Sequence, residues 1–206
     1  SPGQRRLVFD ELFFVQLGLA LRKRFCVGFG FELQAAANEE AIVISLGQVH
    51  SFPLADVFGY LHPNTAQEVL VQALLQAPMF ETRWRWNVTR SLLVERFRAG
   101  NRVPAPLLRF RADDALTAAF PHAQACPETL PQGPIDVPLD HPIVAQTIHD
   151  CLTDAMDVDG FLALLHRMRT GGIELRAIDT NTPSPLADGI LHAMPYAFLD
   201  DAPLEE

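Results

Sequence analysis

The sequence predicts an α+β domain, a small antiparallel sheet with several helices, and three features carry that prediction. Of the 206 residues 49% are apolar and 20% charged, the balance of a globular chain able to bury a core and not of a disordered or fibrous one. Phe25, Val27, Phe29, Phe31 and Leu33 alternate with Cys26, Gly28, Gly30, Glu32 and Gln34, the period of two expected of a half-buried strand. Other segments repeat apolar residues at helical spacing between proline and glycine punctuation.

The elements follow in order. Leu7 to Phe25 is free of proline, and Leu12, Val15, Leu19 and Leu21 suit a largely buried helix that ends in Arg22, Lys23 and Arg24. The alternating stretch then pairs, across Asn38, Glu39 and Glu40, with the apolar run Ala41 to Leu46 as a hairpin, with Phe29 and Phe31 on its buried face. Thr65 and Glu68 have the spacing of a capping box that opens a helix from Ala66 to Ala77, which Pro78 terminates. A further helix is expected from Thr82 to Ala99, capped by Gly100. Arg102 to Leu108, with two prolines, reads as a crossing loop, and Asp113 or Asp114 starts a short helix that closes before Pro121.

Six prolines between Pro121 and Pro142 make a linker or extended arm. Beyond it His141 to Met156 and Asp159 to Thr170 read as helices, Gly171 and Gly172 as a cap and turn, and Ile173 to Ile178 as a strand. The organisation is thus a basic part over 1–120, an arm over 121–142 and an acidic helical part with a terminal strand over 143–206, together one accessory domain.

No apolar run reaches the roughly 18 to 20 residues that cross a bilayer, and Arg5 and Arg6 followed by Asp10 and Glu11 make a poor signal peptide. Cys26, Cys126 and Cys151 are too few and too far apart for a disulfide framework or a four-thiolate zinc site, which fits thiols buried as small apolar side chains in a reducing cytoplasm. The net charge of -9 alone argues against a polyanionic partner, but it is an average. Residues 1–111 hold 13 Lys and Arg against 9 Asp and Glu, and residues 112–206 hold 3 against 16, so a basic surface can sit on an acidic protein.

Catalytic constellations are missing from the sequence. A phosphate-binding loop needs glycines for backbone approach and a Lys followed by Ser or Thr, and no Gly-Lys-Ser or Gly-Lys-Thr occurs. Gly28 and Gly30 begin a dinucleotide fingerprint whose third glycine position holds Leu33. There is no Gly-x-Ser-x-Gly elbow and no His-Glu-x-x-His pair. His149 and His166 lack a spaced ligand partner, and Asp154, Asp157 and Asp159 depart from a calcium loop because Gly160 comes one position late, so helix capping suits these carboxylates better.

One region does carry binding chemistry. Eight arginines lie between Arg83 and Arg111 against the single acid Glu95. At 100° per residue Arg83, Trp86 and Arg90 fall within a sector of about 60°, with Phe97 close by, while Trp84, Val88 and Leu92 fall on the other, core-facing side. An aromatic between two guanidinium groups suits single-stranded nucleic acid, whose bases stack on the ring while arginines neutralise phosphates. The competing reading buries both tryptophans and pairs the arginines with the acidic second half. Arg22, Lys23 and Arg24 are a second candidate contact, with a helix end facing its own dipole as the alternative.

Several long strings point to a family. GLALRKRFC (18–26), FELQAAA (31–37), HSFPLADVF (50–58), RWRWNVTRSL (83–92), RVPAPLLRFRADDAL (102–116), DHPIVAQTIHDCLTDAMDVDG (140–160) and PYAFLDDAPLEE (195–206) resemble, in order and spacing, the C-terminal DEAD/H-associated domain of large helicase-related (Lhr) type DNA helicases. The resemblance departs upstream of Gly18, where Leu17 stands in place of a family tryptophan, and RRLVFDELFFVQLGLAL (5–21) looks more like a segment of RecG helicases. It implies an accessory domain of a superfamily 2 helicase that moves 3′ to 5′ on single-stranded DNA in DNA repair. The implied partners are single-stranded DNA or a DNA/RNA hybrid, together with RecA-like motor domains and a winged helix. ATP and magnesium would be used by the motor, with no cofactor in this chain. The alternative function is a protein-interaction or structural module docking on those motor domains.

Overall fold

The structure, a computed structural model, describes residues 2–29, 34–38, 41–45, 53–123 and 133–192. Its longest element is helix α1, Pro2–Phe29. The inward stripe of α1 is Phe13, Gln16, Leu17, Ala20, Leu21 and Phe25, spaced by three and four residues. Of the positions expected inside, Leu21 is buried, Val15 and Leu19 are half-buried, and the Leu12 side chain lies outside the described set.

The strand expected from Phe25 is displaced, because α1 continues through Phe29. Phe25 and Phe29 stand four apart as well as on an even spacing, so the same residues satisfy both periods. Phe25 settles the matter by packing edge-on against Tyr60, ring centroids 5.0 Å apart. Phe31, expected on the buried sheet face, lies outside the described residues, and Phe29 is helical. The hairpin itself is present as β1 (Gln34–Ala37) and β2 (Ile42–Ser45), antiparallel, with Gln34 opposite Ser45 and Ala37 opposite Ile42. It lies on α1 at Gly18, where a Cβ would come 3.3 Å from Ile42 Cδ1.

Prolines open the next helices. After a 3-10 stretch at Leu54–Tyr60, helix α2 (Pro63–Leu74) starts with His62 as its N-cap, the imidazole Nδ1 accepting from Asn64 N–H at 3.2 Å. The Thr65/Glu68 capping box is therefore overturned. Thr65 is already inside the first turn, and its hydroxyl donates to the His62 carbonyl at 3.4 Å. Helix α3 spans Pro78–Arg90, so Pro78 begins a helix and does not merely end one. The chain leaves α3 through Leu92, whose φ of 64° breaks the helix, and a hairpin follows, β3 (Phe97–Arg98) with β4 (Asn101–Arg102). Gly100, with φ of 79°, takes the left-handed conformation expected of it, but in this hairpin turn and not at a helix end.

Helix α4 occupies Ala105–Ala119, so the supposed crossing loop is mostly helix, with Pro106 in its first turn. In the proline-rich stretch, Ile135 is buried and exchanges two hydrogen bonds with Gln72 of α2, both 2.8 Å. Helices α5 (Pro142–Thr153) and α6 (Val158–Arg169) follow, and Asp157 caps α6 by accepting from Gly160 N–H at 3.0 Å. The terminal strand is not formed: residues 174–180 are irregular and exposed, and among the described residues Arg176 pairs with nearby Glu174 at 2.9 Å. A short helix α7, Asp188–Leu191, completes the described chain of seven helices and two small antiparallel sheets.

One core joins these elements. Phe13 of α1 meets Phe161 of α6 with ring centroids 5.7 Å apart, and the cluster runs through Leu70, Trp84, Leu116, Ile148 and Phe161. Cys151 is buried, as expected of the thiols, whereas Cys26 is exposed and Cys126 lies outside the described residues. No described helix is long and apolar enough to cross a membrane.

Candidate nucleic-acid interface

The site is built on the rotation of α3 about its own axis, which three anchors fix. Phe80, Trp84, Asn87 and Val88 form its buried face. The Trp84 indole N–H donates to the Ala112 carbonyl at 2.7 Å, tying α4 to α3. On the α5 side Asn87 Nδ2 donates to Thr147 Oγ1 at 3.2 Å and to Asp150 Oδ2 at 2.9 Å, and Gln146 Nε2 donates to the other Asp150 oxygen at 2.6 Å. Burial pushes the Asp150 carboxyl up, but the hydrogen bonds from Asn87 and Gln146 and the charges of Arg83 and His149 outweigh it and hold the pKa below the ordinary 3.8.

With that face inward, Trp86 is turned out and is 53% exposed. The Arg83 guanidinium lies over its ring, 5.1 Å from the centroid, in a cation–π contact worth ~0.5–1 kcal/mol at an exposed site. Arg83 also reaches Asp154 at the end of α5, Nη1 to Oδ2 3.8 Å. That carboxylate is mostly exposed and the distance long, so the pair adds little stability. It realises once the expected pairing of arginines with the acidic half.

These residues line a cleft of about 680 Å³, a volume usual for ligand sites. Arg83, Arg85, Trp86, Thr89 and Arg90 come from α3, Arg96 from the segment before β3, Ala105, Leu108 and Arg109 from the first turns of α4, and Asp154 from the end of α5. Five guanidinium groups face one carboxylate. Arg85 is partly spent on its own helix, donating to Thr82 Oγ1 at 3.1 Å.

The structure thus brings Arg83, Trp86 and Arg90 together, and buries Trp84 and Val88 as expected. Leu92 departs from expectation: the helix has ended, and its side chain is 79% exposed. Phe97 is exposed on β3 and is not among the residues lining the cleft. Arg22, Lys23 and Arg24 are not in the cleft either; they lie within α1, which runs on to Phe29, so they do not form a helix end. Leu17, in place of the family tryptophan, is buried and offers no surface for stacking. Sequence reasoning missed Arg96 and Arg109 as cleft residues. They are distant in sequence from α3, and only the turn at Leu92 and the early start of α4 bring them round; the local excess of arginine was their one signal.

The fold and the cleft define a mostly helical α+β domain with a cationic groove floored by one exposed indole. The DEAD/H-associated family profile matches residues 11–187, and the chain belongs to that family. It is 26% identical over 191 residues to the Lhr helicase/uracil glycosylase of Escherichia coli K12, and 26% identical over 193 residues to the Lhr helicase/probable uracil glycosylase of Mycolicibacterium smegmatis. These alignments cover 91% and 92% of this chain but only 11% and 12% of those proteins. The ATP-dependent helicase Lhr-Core of Sulfolobus acidocaldarius is 23% identical over 161 residues, 78% of this chain and 17% of that protein. The fold is shared with the Mycobacterium smegmatis helicase Lhr solved bound to ssDNA and AMP-PNP, with a TM-score of 0.68 at 24% identity, over 89% of this chain and 21% of that one.

Proposed function

We propose that this chain is the nucleic-acid-binding accessory domain of an ATP-dependent superfamily 2 DNA helicase, receiving single-stranded DNA, or the DNA strand of a DNA/RNA hybrid, at the α3 face that carries Arg83, Trp86 and Arg90. The observation that carries the reading is the cleft itself: an exposed indole and five arginines against one carboxylate, on a protein of net charge -9. Such a local field attracts phosphates where the whole molecule would repel them. Arg22, Lys23 and Arg24 would be a separate contact on α1.

In the full helicase the domain would work beside RecA-like motor domains and a winged helix in the cytoplasm, serving 3′ to 5′ translocation in DNA repair. ATP and magnesium belong to that motor. This chain's residues do not fit them: it has no Gly-Lys-Ser or Gly-Lys-Thr loop, and the cleft offers a metal only Asp154. A second reading, docking on the motor domains, draws on Leu93, Phe97 and Phe110, all more than half exposed outside the cleft. Filter binding of labelled single-stranded DNA to the purified chain decides between them. Affinity that falls steeply with salt supports the first reading, and no binding at low salt leaves the second.

A further inference from the structure

The five cleft arginines are not equivalent. Arg83 is only 21% exposed, sits over one face of the indole with its guanidinium carbon 5.1 Å from the ring centroid, and already has Asp154 beside it. A phosphate brought to Arg83 would meet that carboxylate as well. Arg90, Arg96 and Arg109 are exposed and form no ion pair with another described residue. They come from three separate segments and line the same cleft.

The aromatic floor is equally uneven. Trp86 is the one aromatic residue lining the cleft, since Trp84 is fully buried with its N–H committed to α4. With Arg83 on one face of the indole, a single face remains for a ligand. One platform with one free face takes one base, and a stacked run of bases would find no second ring to continue on.

We infer that the cleft receives one unpaired nucleotide, its base on the free face of Trp86 and its flanking phosphates among Arg90, Arg96 and Arg109, with Arg83 acting as a positioning residue that backs the indole and touches no phosphate. The inference rests on the reading that this face binds nucleic acid, and it assigns that site an occupant. A duplex cannot fill it without first unpairing and extruding a base, which makes the cleft selective for single strands by shape alone. Every base has a π-face, so the stacking contact on Trp86 is by itself tolerant of sequence.

The test uses the whole chain with three probes: oligothymidylate, a fully abasic strand of equal length, and that abasic strand carrying one thymine. Oligothymidylate should quench Trp86 fluorescence and bind roughly 5- to 150-fold tighter than the abasic strand, the range for one stacked base. The single thymine should recover most of that difference. Arg96→Ala and Arg109→Ala should each lower the slope of log affinity against log salt by roughly 0.7, the single-strand value for one phosphate. Arg83→Met, which keeps an apolar cover on the ring and removes the charge, should leave the slope at the wild-type value. Trp84, on α3 and buried against α4, gives an internal fluorescence reference that each variant is folded. Equal affinity for thymidine and abasic strands overturns the inference while leaving nucleic-acid binding intact. So does a slope loss in Arg83→Met equal to that in Arg109→Ala, or a need for thymine at successive positions. Failure of every probe to bind at low salt overturns the functional reading itself.

Discussion

Asn87→Ala removes the side chain that joins α3 to α5, and its cost can be worked from the bonds it makes. The amide donates to Asp150 Oδ2 at 2.9 Å and to Thr147 Oγ1 at 3.2 Å. Thr147 keeps its own donation to the Ile143 carbonyl at 2.7 Å, so the loss there is small. The loss at Asp150 is larger, because the carboxylate is buried and a hydrogen bond to a charged group contributes ~1.5–3 kcal/mol. Together the change should cost about 2–4 kcal/mol, a substantial part of the ~5–15 kcal/mol of an ordinary domain. The pH dependence separates this cause from a plain packing loss. Asp150 is held below its ordinary pKa of 3.8, so its contribution is present in full above that value and disappears as the pH falls through the folded-state value. Asn87 supplies the foremost of the influences that lower it. Without Asn87 the folded-state pKa rises, and the mutant has less to lose in acid. Urea unfolding at about pH 7 and then towards about pH 3 should therefore show the gap between wild type and mutant narrowing with acid. A gap that stays constant, or one below ~0.5 kcal/mol at neutral pH, would refute the account of this network.

Other perturbations read separate joints of the structure. Trp84→Phe keeps a ring in the core but removes the 2.7 Å bond to Ala112; it should cost about 1–3 kcal/mol in urea and, once allowance is made for unfolded protein, leave single-strand affinity unchanged. Gln72→Ala cuts both hydrogen bonds to Ile135, so limited proteolysis between residues 133 and 138 should accelerate well before global unfolding. Burial raises the Cys151 thiol pKa to about 11, with Asp150 adding to the rise and Arg83 opposing it, whereas Cys26 is exposed. Alkylation at about pH 8 followed by mass spectrometry should label Cys26 and spare Cys151 until denaturant is added; prompt labelling of Cys151 would contradict its placement in the core.

Much of the fold was legible because its helices carry clear periodicity, and the sequence erred mainly on which side of a proline each element lies. Pro78 was read as the end of one helix when it is the first residue of the next, and Pro106 as loop when it lies in the first turn of α4. Both errors have one physical source. A proline disfavours helix in the residue before it, yet its fixed φ and missing N–H suit the first turn itself, where that N–H would be unpaired anyway. The N-caps His62 and His141 were missed for a related reason, since imidazole is an uncommon cap and each precedes a proline. The α1 extension through Phe29 and the exposed Leu92 depend on contacts or turns that no local pattern encodes. The α3 face was legible because helical geometry alone places Arg83, Trp86 and Arg90 together. The rest of the cleft was not, because it is assembled from segments up to 71 positions apart, Arg83 to Asp154.

The placement of two carboxylates on α5 shows how the core and the cleft depend on each other. Asp150 and Asp154 are four residues apart, one helical turn, with Asp154 N–H donating to the Asp150 carbonyl at 3.0 Å. Asp150 points inward to Asn87 on the buried side of α3, and Asp154 outward to Arg83 on the exposed side. Trp84 and Trp86 are two residues apart on that helix, roughly 200° around its axis, so only a near half-turn of α3 would exchange the roles of the two indoles. Hydrophobic burial already opposes that turn, because it would expose Phe80 and Val88 and carry Arg83 and Arg90 towards the core. The polar contacts oppose it as well. Any rotation that carries Trp86 inward strands the Asp150 carboxylate without Asn87 and the Ala112 carbonyl without its indole donor, and buried polar groups left unpaired are costly. The polar network and the apolar face therefore fix the same orientation of α3. Orientation is what leaves one indole face, backed by one arginine, open to the cleft.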